Sequence, residues 1–484
     1  MAWPWLGATL HVDEAQYWTW SRDLEWGYYS KPPAIAALIA ASTTLFGDGE
    51  WGVKALTLAL TALTALSLGG WVAAMSREAR RGALAALLAL ASPLLLLLGF
   101  AATTDVPLLL MWTWAAWALW QALQRPASAW RWGLLGLAAG LGMLSKYTML
   151  AFGPGALLAV ALVRPMRARW PQVLRGGLLA AGIAALIVAP HIAWNVQAGW
   201  PTWRHTADIT LQRSDEAATL GLLAFALGQL LLLGPMALAL LTWQSSRTPL
   251  TERTPDGDDG RRRAARFALA LSTPLLLLGL MQAARGGANV NWAAPALLGG
   301  LAWLALRAPL RARPVAVLLG AQVLLVAGLV HAPGAAAAAG QPWPRALDLW
   351  ARMRGWDAVW ANLGQQLPPD PAVVIGSSRA VLAHGQYHWR DRKVQWLAWD
   401  PARQARHHFA WRLGIDDQGL ARHLRANGNR PVWLITDSPD AVRPLVANGM
   451  AQDKPAAVAH WVDAGGRRLT LWAWRLRTPL GDEP

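Results

Sequence analysis

Ten apolar runs follow one another near residues 51–75, 83–99, 105–122, 132–146, 147–163, 174–190, 219–242, 265–283, 292–307 and 315–332. No other feature limits the fold so strongly. A spanning helix needs roughly 17–25 predominantly apolar residues. Backbone in hydrocarbon must also satisfy its own hydrogen bonds, so the runs are predicted to be membrane helices. A further run at 33–46 is shorter and follows Pro32 and Pro33, which suits an interfacial or re-entrant helix. Composition agrees: of 484 residues, 55% are hydrophobic and only 15% charged.

A net charge of +16 raises the question of nucleic acid, but the bases are distributed as membrane loops require. With residues 1–50 placed on side one, 18 bases between Arg77 and Arg313 fall on side two and seven on side one. Lys and Arg concentrate in cytoplasmic loops, so side two is predicted to be cytoplasmic and no nucleic-acid partner is expected. Side one is external, and ten crossings return everything after about residue 335 to it. The 32 tryptophans suit a long membrane–water interface. Cysteine is absent, which excludes disulfides and thiolate metal sites. Residues 1–10 carry neither the basic start nor the apolar core of a secretory signal.

The stretch from His11 to Pro33, HVDEAQYWTWSRDLEWGYYSKPP, stands apart from these runs. It holds Asp13, Glu14, Tyr28, Tyr29 and Lys31, and ionised groups must lie at a surface rather than in hydrocarbon. The same external face receives Asp105, Lys146, the loop 191–218 with His191, Asn195, Arg204, His205 and Asp208, and the segment 284–292 with Asn289 and Asn291. Bland readings exist for each. Asp13 and Glu14 fit the first turn of a helix, where acids complement the dipole. Lys31 fits a snorkelling lysine, Asp105 a solvated helix cap, and the histidines structural positions. Lys146 is harder to dismiss, because it interrupts apolar sequence on both sides with no loop to solvate it. Together, two acids and two lysines suit transfer from an anionic donor to a hydroxyl or amine: lysines hold a phosphate and a carboxylate takes the acceptor's proton.

Residues 335–484 change character after an Ala/Gly/Pro-rich linker. The runs PAVVIGSS, VQWLAWD, RPVWLITDSP and RRLTLWAWRLR read as strands, with helices around 344–365 and 417–426. A soluble α/β domain is predicted. GSS at 376–378 follows a strand but lacks the fuller GxGxxG phosphate pattern. The loop at 243–264 reads as solvated linker. No internal repeat, Walker A loop or HExxH motif is present.

HVDEAQYWTWSRDLEWGYYSKPP, TTDVPLLLMWTWAAWAL, GLGMLSKYTML, WNVQAGWPTWRHT and NWAAPA occur in that order over residues 10–330. They resemble segments of the bacterial lipid-linked-sugar glycosyltransferases, the GT-C enzymes of the protein O-mannosyltransferase and aminoarabinose transferase superfamily. The resemblance implies a polytopic α-helical GT-C fold over residues 1–334, about ten spans, and an external α/β domain over 335–484. It implies transfer of a sugar from a polyprenyl (undecaprenyl) phosphate carrier to a glycan, lipid A or protein at the outer face of the bacterial inner membrane. By similarity, Asp13 is the general base. Lys31 and Lys146 bind the donor phosphate. Glu14, Tyr28, Tyr29, Asp105 and Arg204 contact substrate. A single base without a covalent intermediate implies inversion at the anomeric carbon.

Two departures accompany the resemblance. The family carries a spanning helix ahead of the acidic motif, where this chain has at most a dozen residues. Some relatives also carry a metal-holding acid immediately before the lysine, where Ser30 stands here. No cofactor is expected with certainty, and a divalent metal is left open. The alternative class is a transporter or flippase, whose charged residues would lie near the midplane between repeated halves.

Overall fold

Apolar length and strand alternation, the two patterns in the sequence, sort into separate units. The computed structural model describes residues 8–163, 169–211, 218–235, 257–285, 287–308, 312–344, 347–426, 430–463 and 466–478, with the single residues 239 and 242. The linker read at 243–264 lies outside the described residues as far as 256. One unit comprises residues 24–327, the other residues 1–23 with 328–484. The expected boundary at 334/335 kept all of 11–33 with the apolar segments. The division instead falls inside that stretch, between Asp23 and Leu24. The first helix, α1 (Val12–Ser21), therefore belongs with the C-terminal residues.

The unit 24–327 is helical in its regular structure. In order it contains α2 (Ala34–Phe46), α3 (Glu50–Ser76), α4 (Ala79–Ala91), α5 (Pro93–Gly99), α6 (Asp105–Gln124), α7 (Ala129–Ser145), α8 (Phe152–Val163), α9 (Trp170–Gln197), α10 (Pro201–Leu211), α11 (Ala218–Leu233), α12 (Gly257–Ala283), α13 (Ala294–Arg307) and α14 (Ala312–Ala338), the last running past the division. Among the described residues, α3, α6, α9, α12 and α14 are long and apolar enough to cross a membrane. The pair α4–α5 makes a sixth if it counts as one broken span, bent by 56°. Pro93 causes the bend: it lacks an N–H and forces Ser92 into an extended conformation, from which Ser92 caps the second piece by accepting from the Leu95 N–H. Ten apolar runs are thus not ten full-length helices. Lys146 is one reason, since it is extended and ends α7 after 17 residues. A five-residue 3₁₀ turn, Tyr147–Ala151, then precedes α8.

Small residues set the close packing that aims these helix ends. A Cβ on Gly136 of α7 would lie 2.5 Å from the Ala180 carbonyl oxygen of α9, so only glycine lets the two backbones approach. Buried Arg81 donates to the carbonyls of Ala305, Leu306 and Ala308 at distances of 2.9–3.1 Å. It thereby satisfies the C-terminal acceptors of α13. Trp71, Trp120 and Phe267 pack edge-on at the centre of this unit.

The C-terminal unit adds α15 (Trp356–Gln366), β1 (Val373–Gly376), α16 (Arg379–His388), β2 (Gln395–Trp399), α17 (His408–Leu413), β3 (Gly414–Ile415), α18 (Asp417–Ala426), β4 (Val432–Thr436), α19 (Arg443–Ala447), β5 (Ala457–Val462) and β6 (Arg468–Leu476). The six strands lie in the order β3-β2-β1-β4-β6-β5. β1 is parallel to both β2 and β4, and β6 runs antiparallel to β4 and β5. Alternation along the central strands explains why both faces are covered. Val374, Trp433 and Ile435 meet Trp360 and Leu363 of α15, while Val373, Ile375, Val432 and Leu434 meet Leu420 and Leu424 of α18. The sequence reading found β1, β2, β4, β6 and α18, but placed neither α16 nor β5.

Candidate active site

One group of the expected residues is built on α1. His11 is its N-cap and accepts the Asp13 N–H at Nδ1 over 3.2 Å. Glu14 reaches back to accept the His11 N–H at 2.8 Å, which completes a capping box. Adjacent helix residues point about 100° apart, so the two acids separate. Glu14 is fully buried and closes the cap, and presents no open face to a substrate. Asp13 turns elsewhere and remains 35% exposed.

Arg379, the first residue of α16, meets Asp13 there. Its Nη2 donates to Asp13 Oδ1, and its Nε donates to Gln16 Oε1 at 2.6 Å. Burial pushes the Asp13 carboxyl up, but the His11 contact and the Arg379 guanidinium outweigh it and hold the group well below the ordinary carboxylate range. Arg379 supplies a positive charge beside Asp13. Further along, α1 is fixed by aromatics: Trp18 packs edge-on to Tyr387 at 5.2 Å and Trp20 to His408 at 5.1 Å. The sequence reading missed Arg379. Its one signal was position, immediately after the GSS that follows β1.

That GSS does not form a phosphate cradle. Ser377 donates to Thr436 at 2.7 Å, and Ser378 donates to Asp437 at 3.0 Å while capping α16. The hydroxyls are spent across the β1–β4 crevice, where Asp437 already supplies a negative charge.

A second group, described by itself, lies in the unit 24–327. Lys146 Nζ donates to Asp105 Oδ1 at 2.8 Å, and Asn291 donates to Asp105 Oδ2 at 3.1 Å. The end of α7, the start of α6 and the turn before α13 thus meet at one carboxylate. Both side chains are buried, 14% exposed for Lys146 and 5% for Asp105. Lys31 sits half-buried in the loop after Tyr28, whose N–H its carbonyl accepts at 3.0 Å.

That loop is held from α9 and α10. His191 is fully buried, with Nδ1 at 2.6 Å from the Trp26 carbonyl and Nε2 at 2.6 Å from the Tyr147 hydroxyl. A carbonyl only accepts, so Nδ1 carries the proton, Nε2 accepts and Tyr147 donates. Trp194 Nε1 donates to Glu25 at 2.9 Å, and Thr202 donates to the Tyr28 carbonyl at 2.5 Å. Gly27 is required here, since a Cβ would lie 2.4 Å from the Trp194 ring. Tyr28 is buried. Tyr29 stacks obliquely on His205 at 5.1 Å, and burial with the nearby Asp208 charge raises its phenol above the ordinary range. Arg204 is exposed on α10. His191 is therefore structural, as the sequence reading expected, and Tyr147, Glu25 and Thr202 are contacts it did not foresee.

The expected residues consequently fall into two groups. Asp13 and Glu14 lie in one unit, and Lys31, Lys146, Asp105, Tyr28, Tyr29 and Arg204 in the other. Among the described residues, no three His, Asp or Glu side chains gather where a metal ion could be held. Ser30 stands where some relatives carry an acid.

Parts of the chain are similar to known proteins. Residues 30–194 match the family described as dolichyl-phosphate-mannose-protein mannosyltransferase. The match contains Lys31, Asp105 and Lys146, and Asp13 lies ahead of it. The chain is 31% identical over 310 residues to the lipid A galacturonosyltransferase RgtD of Rhizobium johnstonii, covering 60% of this chain and 58% of that protein. It is 34% identical over 169 residues to the undecaprenyl phosphate-alpha-4-amino-4-deoxy-L-arabinose arabinosyl transferase of Pectobacterium carotovorum, covering 34% of this chain and 30% of that one. The matched region thus spans less than two thirds of either relative. The fold is that of ArnT from Cupriavidus metallidurans bound to undecaprenyl phosphate, with a TM-score of 0.64 at 17% identity over 96% of this chain and 94% of that one. The apo form of the same protein gives a TM-score of 0.62 at 16% identity over the same shares.

Proposed function

We infer that this chain, a GT-C fold relative of the lipid-linked-sugar glycosyltransferases, moves a sugar from a polyprenyl phosphate carrier to an acceptor at the outer face of the inner membrane. The observation that carries this reading is a coincidence: the family match over 30–194 spans the segments that hold Lys31, Asp105 and Lys146. In the proposed reaction the acceptor oxygen or nitrogen bonds to the anomeric carbon as the bond to the carrier phosphate breaks. Asp13 takes the acceptor's proton, and the configuration inverts. Lys31 and Lys146 neutralise the departing phosphate. An ammonium has three donors, and Asp105 takes one of those on Lys146. The relatives' names point to undecaprenyl phosphate as the carrier and to lipid A as the acceptor to test first.

Labelled undecaprenyl-phosphate aminoarabinose and its galacturonosyl counterpart, incubated with membranes containing the protein and lipid A, test the reading. Label should pass to lipid A or another acceptor. Label that stays on the carrier in every fraction would overturn it.

The proposal includes about ten crossings, with the shorter α7, α8, α11 and α13 among them, and the C-terminal unit outside. Cysteine at Ser30 is expected to react with an impermeant thiol reagent in intact cells, and cysteine at Ser246 is not. The reverse labelling would remove the external placement of Lys31.

A further inference from the structure

We propose that Arg379 is a positioning residue for catalysis: the C-terminal unit reaches Asp13 through it and fixes which carboxylate oxygen faces the acceptor. This rests on the reading of Asp13 as general base.

The argument starts from the sheet. Chain leaving β1 passes through α16 to β2, and β4 then enters on the other side of β1. The carboxyl ends of β1 and β4 therefore flank a switch point, where doubly wound sheets ordinarily place a ligand. Here Ser377, Ser378, Thr436 and Asp437 bond to one another across it. Arg379 opens α16 at this point and turns its guanidinium to α1. The domain thus uses its ligand-binding end to hold a carboxylate of its own chain.

Geometry distinguishes this from an incidental surface pair. Gln16, one helical turn beyond Asp13, accepts Arg379 Nε at 2.6 Å and so orients the guanidinium. With its Nε held, Nη2 is left aimed at Oδ1 of Asp13. Oδ2 lies 3.6 Å from His11 Nδ1, beyond hydrogen-bond reach. Among the described residues, one oxygen takes the Arg379 hydrogen bond and the other has only the longer His11 contact, on a side chain that stays a third exposed. A carboxylate held this acidic is a weak base in the ground state. The acceptor oxygen becomes strongly acidic only as it bonds to the anomeric carbon, and an aimed carboxylate is then sufficient.

The test uses the full-length protein in nanodiscs, with an undecaprenyl-phosphate sugar as donor. Arg379→Gln should lower kcat at least tenfold with little change in KM for the donor. Its acid limb of kcat/KM should move up by about 1–3 pH units, the shift expected when a cation beside a carboxylate is removed. Arg379→Lys should restore the limb and part of the rate. In an Asp13→Asn background, Arg379→Gln should remove nothing further. An unmoved acid limb, or an additive loss in the double variant, overturns the positioning role while Asp13 stands. Full activity in Asp13→Asn overturns the general-base reading instead. Should Arg379→Gln fail to fold, Gln16→Leu should show the same limb shift in weaker form, and an unchanged profile there counts against the proposal.

Discussion

Asp13→Asn should abolish general-base catalysis, a loss of about 10²–10⁴-fold in transfer, while the protein still folds and still binds its donor. The structure explains why folding should survive. The cap of α1 is made by the His11 ring and the Glu14 carboxylate, not by the Asp13 side chain. Asparagine can still accept from Arg379 through Oδ1. The Asp13–Arg379 pair is about a third exposed on both sides, and such pairs contribute only roughly 0–1 kcal/mol. Their pH dependence has a fixed sign. The carboxyl is held below its ordinary value, so its stabilisation is complete above the unfolded carboxylate range and is lost as pH falls through the depressed one. Parental activity should likewise stay flat down to that range. Glu14→Gln reads differently. It weakens a buried cap, so it should lower the amount of folded protein more than the turnover of what remains. Transfer by purified Asp13→Asn at the parental rate, or a product that keeps the donor's anomeric configuration, would sink the assignment.

The membrane helices were legible because hydrocarbon permits so few solutions. A run such as 174–190 can only be a helix there, and α9 covers it. What the sequence did not reveal is where helices stop, because caps and packing decide that. Lys146 looked like a break between two equal spans, whereas its extended backbone and the 3₁₀ turn after it leave α8 only 12 residues long. Strands β1 and β4 were legible as continuous apolar runs, as expected when both faces are buried. β5 was not, because AVAHWV carries a histidine and packs one face only, with burial alternating along it.

The site was legible as residue types and much less as partners. Asp13, Lys31, Asp105 and Lys146 stand out because charge is rare in this chain. Their partners lie far along it, Arg379 at 366 positions from Asp13 and Asn291 at 186 from Asp105. Only the folded topology brings them together. The capping box buries Glu14, while the Asp13 side chain stays about a third exposed.

Lys146→Met should destabilise the protein by about 3–5 kcal/mol, more than its loss from any phosphate contact. The lysine is not simply a phosphate ligand waiting at a helix end. It neutralises Asp105, which is 5% exposed and, among the described residues, has Asn291 as the further partner of its other oxygen. Removing the ammonium strands a buried carboxylate. A lost charge-assisted phosphate contact alone is worth about 1.5–3 kcal/mol, roughly tenfold or more in rate. Loss of activity in the single variant therefore mixes two effects, and a second substitution separates them. In Lys146→Met with Asp105→Asn, no charge is buried and Asn291 can still pair with an amide, so thermal stability should recover toward the parent. If Lys146 holds the donor phosphate, transfer should remain at least tenfold down in that stable double variant. Recovery of both stability and transfer would reduce Lys146 to a structural counter-ion. Asp105→Asn alone should keep stability closer to the parent than Lys146→Met does, because an unpaired ammonium beside the external face can still reach water or phosphate.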